Sequence, residues 1–119
     1  MEYWRKRVAA FSYSFNGIYR LFRYEAHAQI HLCVAICVVI AGFLCSISPM
    51  EWCLIALCIG MVFAAEGFNT AIEKLADEVT VERRPLIGAA KDIAAGAVLL
   101  AALSTIVVGL IIFIPKIFF

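Results

Sequence analysis

Three long apolar stretches dominate the pattern of hydrophobic and polar positions along the chain. They cover about residues 28–48, 52–77 and 86–114. A helix needs about twenty mostly apolar residues to cross the hydrocarbon core of a bilayer. Each stretch reaches that length, so the pattern predicts three transmembrane helices.

The first part of the chain predicts a helix of another kind. Aromatic and aliphatic side chains recur every three or four residues from Trp4 to Phe22, and arginines occupy other faces. Such a helix is typical of segments that lie on a membrane surface. We therefore expect an amphipathic surface helix over residues 4–24 and a polar hinge over residues 25–31. The predicted fold is an all-α integral membrane protein.

Composition agrees with this interpretation. Of the 119 residues, 65% are hydrophobic and 16% are charged, and the mean hydropathy is +0.97. A soluble domain has about a quarter of its residues charged, so the composition excludes an ordinary soluble domain. The length predicts a single domain over residues 1–119. Five cysteines stand in apolar surroundings, and we expect them to be packing residues.

The basic residues are distributed unevenly between the two sides of the predicted membrane. Lys116 falls on one side, and the other nine fall on the opposite side: Arg5, Lys6, Arg7, Arg20, Arg23, Lys74, Arg83, Arg84 and Lys91. Cytoplasmic segments carry the excess of lysine and arginine in membrane proteins. The sequence therefore predicts a cytoplasmic N-terminus and a C-terminus on the outer side.

A polar stripe interrupts the second apolar stretch. Its side chains stand at offsets of 0, 3, 4, 7 and 11, and they are Glu66, Asn69, Thr70, Glu73 and Asp77. At about 100° per residue, they lie within roughly a 100° arc of one helix face. Ionisable groups are costly within a membrane, and they usually mark a functional site.

Carboxylates and a lysine are expected at one depth, near the cytoplasmic surface. Glu25 precedes the first span, Glu73 and Asp77 end the second, and Lys91 and Asp92 begin the third. Carboxylate oxygens suit Mg²⁺ that is shared with substrate phosphates, and a lysine binds phosphate oxygens. These groups are the components of phosphoryl transfer from a nucleotide.

Glu66 is expected two helical turns, roughly 10 Å, deeper in the membrane than Glu73. Removal from water makes a carboxylate bind a proton more tightly, which suits a general base. The hydroxyl it would deprotonate belongs to a lipid. Asn69 is a candidate for orienting this carboxylate or the metal. The alternative is a structural acid that is paired with Asn69.

Two other classes of function fit part of the pattern. One is a small proton- or cation-conducting protein, in which the stripe lines a path. The other is a structural membrane subunit, in which the stripe holds helices together. The outer half of the second span offers no polar continuation of the stripe, which disfavours conduction. A structural stripe does not require Glu25, Lys91 and Asp92 at the same depth. Both observations favour a kinase.

The stripe and the segment after it carry a family resemblance. The pattern Glu66-x-x-Asn69-Thr70-Ala71-Ile72-Glu73-x-x-x-Asp77, followed by Lys91-Asp92 and Ala94-Ala95-Gly96-Ala97-Val98, resembles the prokaryotic diacylglycerol kinase family, which includes undecaprenol kinases. The similarity extends over essentially the whole chain. It implies a homotrimer in a bacterial cytoplasmic membrane, with active sites shared between neighbouring subunits. It also implies transfer of the γ-phosphoryl group of ATP to a membrane lipid, either undecaprenol or diacylglycerol.

The resemblance also implies roles for individual residues. Glu66 would be the base that accepts the lipid hydroxyl proton, and Glu25 and Glu73 would be Mg²⁺ ligands. The implied ATP contacts are Tyr13, Glu25, Glu73, Asp77, Glu82, Arg83, Arg84, Lys91 and Asp92. Asn69 would support the site, and Ser14 would border the lipid together with Glu66.

Some segments distinguish this chain from the general family pattern. Gly67-Phe68 stands where bulkier aliphatic residues are common, and residues 26–29 differ from the run seen in many relatives. Ile30-His31-Leu32 and Glu51-Trp52 are more similar to the undecaprenol kinase branch, which gives a slight preference for undecaprenol. We expect His27 and His31 to be interfacial or packing groups and not metal ligands.

Overall fold

The computed structural model describes residues 1–119 as four helices. They are α1 (Glu2–Tyr24), α2 (Ala26–Leu44), α3 (Pro49–Val79) and α4 (Pro85–Phe118). The last three are each long and apolar enough to cross a membrane. The prediction of an all-α chain with three spans is confirmed.

α1 extends sideways from the bundle of the other three helices. The molecule measures 53 × 46 × 20 Å. α4 is about 51 Å long, which accounts for the largest dimension. The axes of packed helices lie about 8–10 Å apart, so a bundle of three helices is narrower than the second dimension of 46 Å. α1 accounts for the remaining width. α1 has no buried residue, and near its C-terminal end the Phe22 ring packs edge-on against Phe63 of α3, with centroids 4.9 Å apart.

A single extended residue separates α1 from α2. Glu25 has φ −102° and ψ 116°, and α2 begins at the next residue. The side-chain amide of Gln29 donates to the carbonyl oxygens of Phe22 at 3.2 Å and Arg23 at 3.1 Å. The polar hinge predicted over residues 25–31 is therefore wrong. Residues 26–31 are helical, and the Gln29 side chain within them satisfies two of the last carbonyl groups of α1.

A C-terminal capping motif ends α2 at Leu44, several residues before the apolar stretch ends. Ser46 has a φ of +52°. The amide of Ile47 donates to the Gly42 carbonyl at 3.2 Å, and the amide of Ser46 donates to the Phe43 carbonyl at 3.3 Å. This is the hydrogen-bond pattern of the Schellman motif, with serine in the left-handed position that glycine usually occupies.

A capping box begins α3 at Pro49, three residues before the predicted start. The Glu51 amide donates to the Ser48 hydroxyl at 3.2 Å, and the Ser48 amide donates to the Glu51 carboxylate at 2.9 Å. Glu51 also forms an ion pair with Lys116 near the end of α4, at 3.2 Å. The start of α3 and the end of α4 therefore lie together, at the end of the bundle that holds the α2–α3 turn.

α3 and α4 form the main helix pair. Ile47, Ile55 and Ile112 make a buried cluster close to the α2–α3 turn. Nearby, the Trp52 ring covers Gly42 so closely that a β-carbon on this glycine would lie 2.7 Å from the ring. Only 12 of the 119 residues are buried, and most apolar side chains therefore face away from the subunit.

The close packing of Trp52 on Gly42 makes a stability prediction. We expect Gly42→Ala to lower the free energy of unfolding by about 1–3 kcal/mol, because the new methyl group overpacks the contact. Gly60→Ala is the matched control, since no atom lies within 4 Å of its β-carbon position. The control should be neutral or stabilising. Thermal unfolding midpoints in detergent compare the two variants, and equal midpoints would contradict the proposed packing constraint.

Candidate active site

Glu66 is the one buried charged residue of the chain, with 3% of its surface exposed. Ile55, Cys58 and Val62 are buried on the same face of α3, at helical spacings of three and four residues. Glu66 therefore continues an apolar stripe that faces the other helices. Since a carboxylate is costly in such surroundings, its immediate partners decide what it can do.

The partner of Glu66 is His31 on α2. The His31 Nε2 atom lies 3.5 Å from the Glu66 Oε2 atom, and the two side chains are 25% and 4% exposed. Asn69, which the sequence suggested as the orienting group, does not bond to Glu66, and its Oδ1 atom is buried without a hydrogen-bond partner. Sequence reasoning missed His31 as a site residue. The two residues lie on different helices, so no spacing rule connects them.

Three ion pairs lie at the end of the bundle that holds the α1–α2 corner and the α3–α4 loop. They are Lys74 with Glu25 at 3.2 Å, Lys91 with Asp77 at 2.5 Å, and Arg83 with Asp92 at 2.7 Å. The structure thus brings Glu25, Asp77, Lys91 and Asp92 to one end of the bundle. The cations are positioned by carboxylates and lie close to the surface, where they are available to a phosphate group.

The other residues with implied ATP or lipid contacts are exposed. Glu73 lies on α3 without an ion pair, and Arg84 is 3.8 Å from Glu82 in the α3–α4 loop. Tyr13 is 75% exposed on α1, about 17 Å along the helix from its C-terminal end. The hydroxyl of Ser14, beside it, donates to a backbone carbonyl of α1 at 2.9 Å. The subunit alone does not bring these two α1 residues to the ion-paired end.

Glu25 and Glu73 are the two carboxylates that could hold a magnesium ion together with substrate phosphates. No three His, Cys, Asp or Glu side chains converge on one point in the chain. Protein-bound Mg²⁺ usually takes one or two carboxylates and completes its shell with waters and substrate phosphates. Glu25 is partly exposed beside Lys74, and Glu73 adjoins that lysine in the sequence. These two carboxylates suit a metal that arrives with a nucleotide.

Two apolar grooves run along the helices close to the polar stripe. One has a volume of about 650 Å³ and lies between α3 and α4, with Phe68, Asn69 and Ile93 among its lining residues. The other, of about 250 Å³, starts at His31 and is lined by apolar side chains of α2, α3 and α4. Both grooves have the chemistry of a hydrocarbon-binding surface.

Residues 12–113 match the family model of prokaryotic diacylglycerol kinase. The chain belongs to the prokaryotic diacylglycerol kinase family. It is 44% identical over 107 residues to an undecaprenol kinase of Bacillus subtilis, an alignment that covers 90% of this chain and 87% of that relative. It is 32% identical over 109 residues to a diacylglycerol kinase of Synechocystis sp., covering 91% of this chain and 62% of that longer relative.

Membership in this family confirms the predictions of a multi-pass membrane protein and of a lipid kinase. The two alternatives, a conducting protein and a structural subunit, are less consistent with the geometry. Ile55, Cys58 and Val62 are buried on α3 between Glu66 and the α2–α3 turn, and this apolar face offers no polar path along the bundle.

The ion pair between Asp77 and Lys91 should contribute a measurable interaction energy between the ends of α3 and α4. Asp77→Asn, Lys91→Met and the double variant form a double-mutant cycle. We expect a coupling energy of about 0.2–1 kcal/mol, the range of partly exposed ion pairs. The measurement is the unfolding free energy in detergent at low and high salt. Strictly additive effects at low salt would show that the two side chains do not interact.

Proposed function

We propose that the protein transfers the γ-phosphoryl group of Mg·ATP to the hydroxyl of a membrane lipid alcohol. The observation that carries this proposal is the separation of two kinds of group along α3. Glu66 is buried among apolar side chains, and Asp77, about 17 Å further along the helix, belongs to the ion-paired end. The ion-paired end suits a phosphoryl donor that is dissolved in water. The buried end suits an acceptor that is dissolved in the membrane.

The ion-paired end is the proposed ATP site. Lys91 and Arg83 already have charged partners, and phosphate oxygens can take the place of those carboxylates. The proposed nucleotide contacts are Tyr13, Glu25, Glu73, Asp77, Glu82, Arg83, Arg84, Lys91 and Asp92. Glu25 and Glu73 would hold Mg²⁺, which offsets the negative charge of the phosphates. Their exposure leaves room for the nucleotide and its metal.

The buried end is the proposed lipid site. Glu66 would take the proton of the acceptor hydroxyl as the oxygen attacks the γ-phosphorus, and ADP would leave with the bridging oxygen. Asn69 is among the residues that line the larger groove, and it would support the site one turn from Glu66. Ser14 would border the lipid from the surface helix.

Undecaprenol is the proposed acceptor, ahead of diacylglycerol. The relative that is 44% identical is named as an undecaprenol kinase, and the relative that is 32% identical is named as a diacylglycerol kinase. The Ile30-His31-Leu32 segment points to the same branch, and His31 lies against Glu66.

A homotrimer in a bacterial cytoplasmic membrane completes the proposal. Residues 1–119 would form one lipid-kinase domain, with α1 as an amphipathic helix on the cytoplasmic surface and the C-terminus on the outer side. The large apolar surface supports association, since most apolar side chains face away from the subunit. A neighbouring subunit would also explain how Tyr13 and Ser14 of α1 reach a shared site.

Purified protein with labelled ATP, Mg²⁺ and each lipid alcohol in separate micelles tests the proposal. We expect the label to enter undecaprenol faster than diacylglycerol, and a chelator of Mg²⁺ should abolish both reactions. Faster labelling of diacylglycerol would contradict the choice of acceptor alone. Absence of label from both lipids would contradict the proposed reaction.

A further inference from the structure

We propose that His31 is a positioning residue for Glu66: its imidazole holds the buried carboxylate in place and directs one of its oxygens toward the acceptor hydroxyl. This inference rests on the proposed role of Glu66 as the base. It adds a residue for which the family resemblance implied no role. The contact that carries it joins Nε2 of His31 to Oε2 of Glu66 at 3.5 Å.

The packing of α2 fixes the direction of this imidazole. Ala28, one turn before His31, is fully buried, with 0% of its surface exposed. Val34, Ala35 and Val38 follow at helical spacing and line the same groove as His31, together with side chains of α3 and α4. The inward face of α2 therefore carries the imidazole toward α3. His27 lies outside this arrangement, since it is exposed and has no ion pair.

The neighbouring helices bring no other charged group to Glu66. α1 contributes the apolar side chains Leu21 and Phe22 to this part of α3. α4 contributes Ala102, Thr105 and Ile106 to the groove beside His31. Glu66 has no other ion pair, so the imidazole is the one polar partner that can hold the buried carboxyl group in place.

The nearest charged groups along the chain have other partners. Glu25 pairs with Lys74, and Asp77 pairs with Lys91. On α3 itself, Glu73 lies two turns from Glu66 and is exposed. These groups belong to the proposed nucleotide end, so changes at His31 should leave nucleotide binding intact. That separation makes the inference testable independently of ATP affinity.

The pair divides the two carboxylate oxygens between two tasks. With Nε2 of the imidazole beside Oε2, Oε1 is left for the acceptor hydroxyl. When the acceptor oxygen bonds to the γ-phosphorus, its proton passes to Oε1 and the bond between phosphorus and the ADP oxygen breaks. His31 does not touch the reacting atoms. Without it, the Glu66 side chain can rotate away from the position in which Oε1 meets the lipid hydroxyl.

Four variants test this role: His31→Gln, His31→Asn, His31→Leu and the control His27→Gln. A glutamine amide nitrogen reaches about as far as Nε2, whereas an asparagine amide ends nearer to the position of Nδ1. We expect His31→Leu and His31→Asn to lower kcat about 10- to 100-fold, the equivalent of one hydrogen bond to a charged group. His31→Gln should recover most of the activity, and His27→Gln should match the wild type.

The readouts are kcat and KM for Mg·ATP, both measured by labelled lipid formation. We expect an unchanged KM for Mg·ATP in every variant, so the loss should appear in kcat alone. His31→Gln and His31→Asn preserve polarity, so they carry the test where the leucine variant fails to fold.

Equal activities of His31→Gln and His31→Asn would overturn the inference, as would a leucine variant with the wild-type kcat. A raised KM for Mg·ATP with an unchanged kcat would also overturn it, because that result places His31 at the nucleotide. If the wild type labels neither lipid, the proposed function fails first. An active wild type with unaffected His31 variants leaves the proposed function intact and removes only this inference.

Discussion

The burial of one carboxylate among apolar side chains is the constraint on which the functional arrangement depends. Glu66 continues the inward face of α3, where the preceding positions pack against other helices. A buried polar group needs a polar partner, and the partner of Glu66 is His31 on α2. α2 must therefore pack against α3 in one register, which the fully buried Ala28 and the close contact between Gly42 and Trp52 maintain at its two ends.

Helix length explains why the polar groups divide into two sets. α3 has 31 residues and is about 46 Å long, whereas the hydrocarbon core of a bilayer is about 30 Å thick. The end that carries Asp77 therefore extends toward water. There Asp77 pairs with Lys91 of α4, and Arg83 of the α3–α4 loop pairs with Asp92 of α4. α2 is much shorter, at 19 residues, and its start lies beside the polar stripe. One long helix thus joins a hydrated end to a buried carboxylate.

Periodicity was sufficient to predict the three spans and the polar stripe, because both depend on the spacing of residues within one helix. Helix ends were harder, since the Schellman motif around Ser46 and the contacts of Gln29 depend on backbone hydrogen bonds that hydropathy does not register. The contact of His31 with Glu66 depends on the packing of two helices, and only the structure shows it. Tyr13 and Ser14 remain predictions from resemblance, because α1 holds them apart from the ion-paired end.

The most direct measurement of the division along α3 compares Mg·ATP affinity with turnover in Glu66→Gln and Glu73→Gln. The account predicts that Glu66→Gln loses turnover by about 100-fold or more, the usual contribution of a general base, while its nucleotide affinity stays at the wild-type value. Glu73→Gln should weaken Mg·ATP binding, and Glu78→Gln, an exposed neighbour on the same helix, serves as the matched control. Weakened nucleotide binding in Glu66→Gln, or unchanged binding in Glu73→Gln, would contradict the assignment of the two ends.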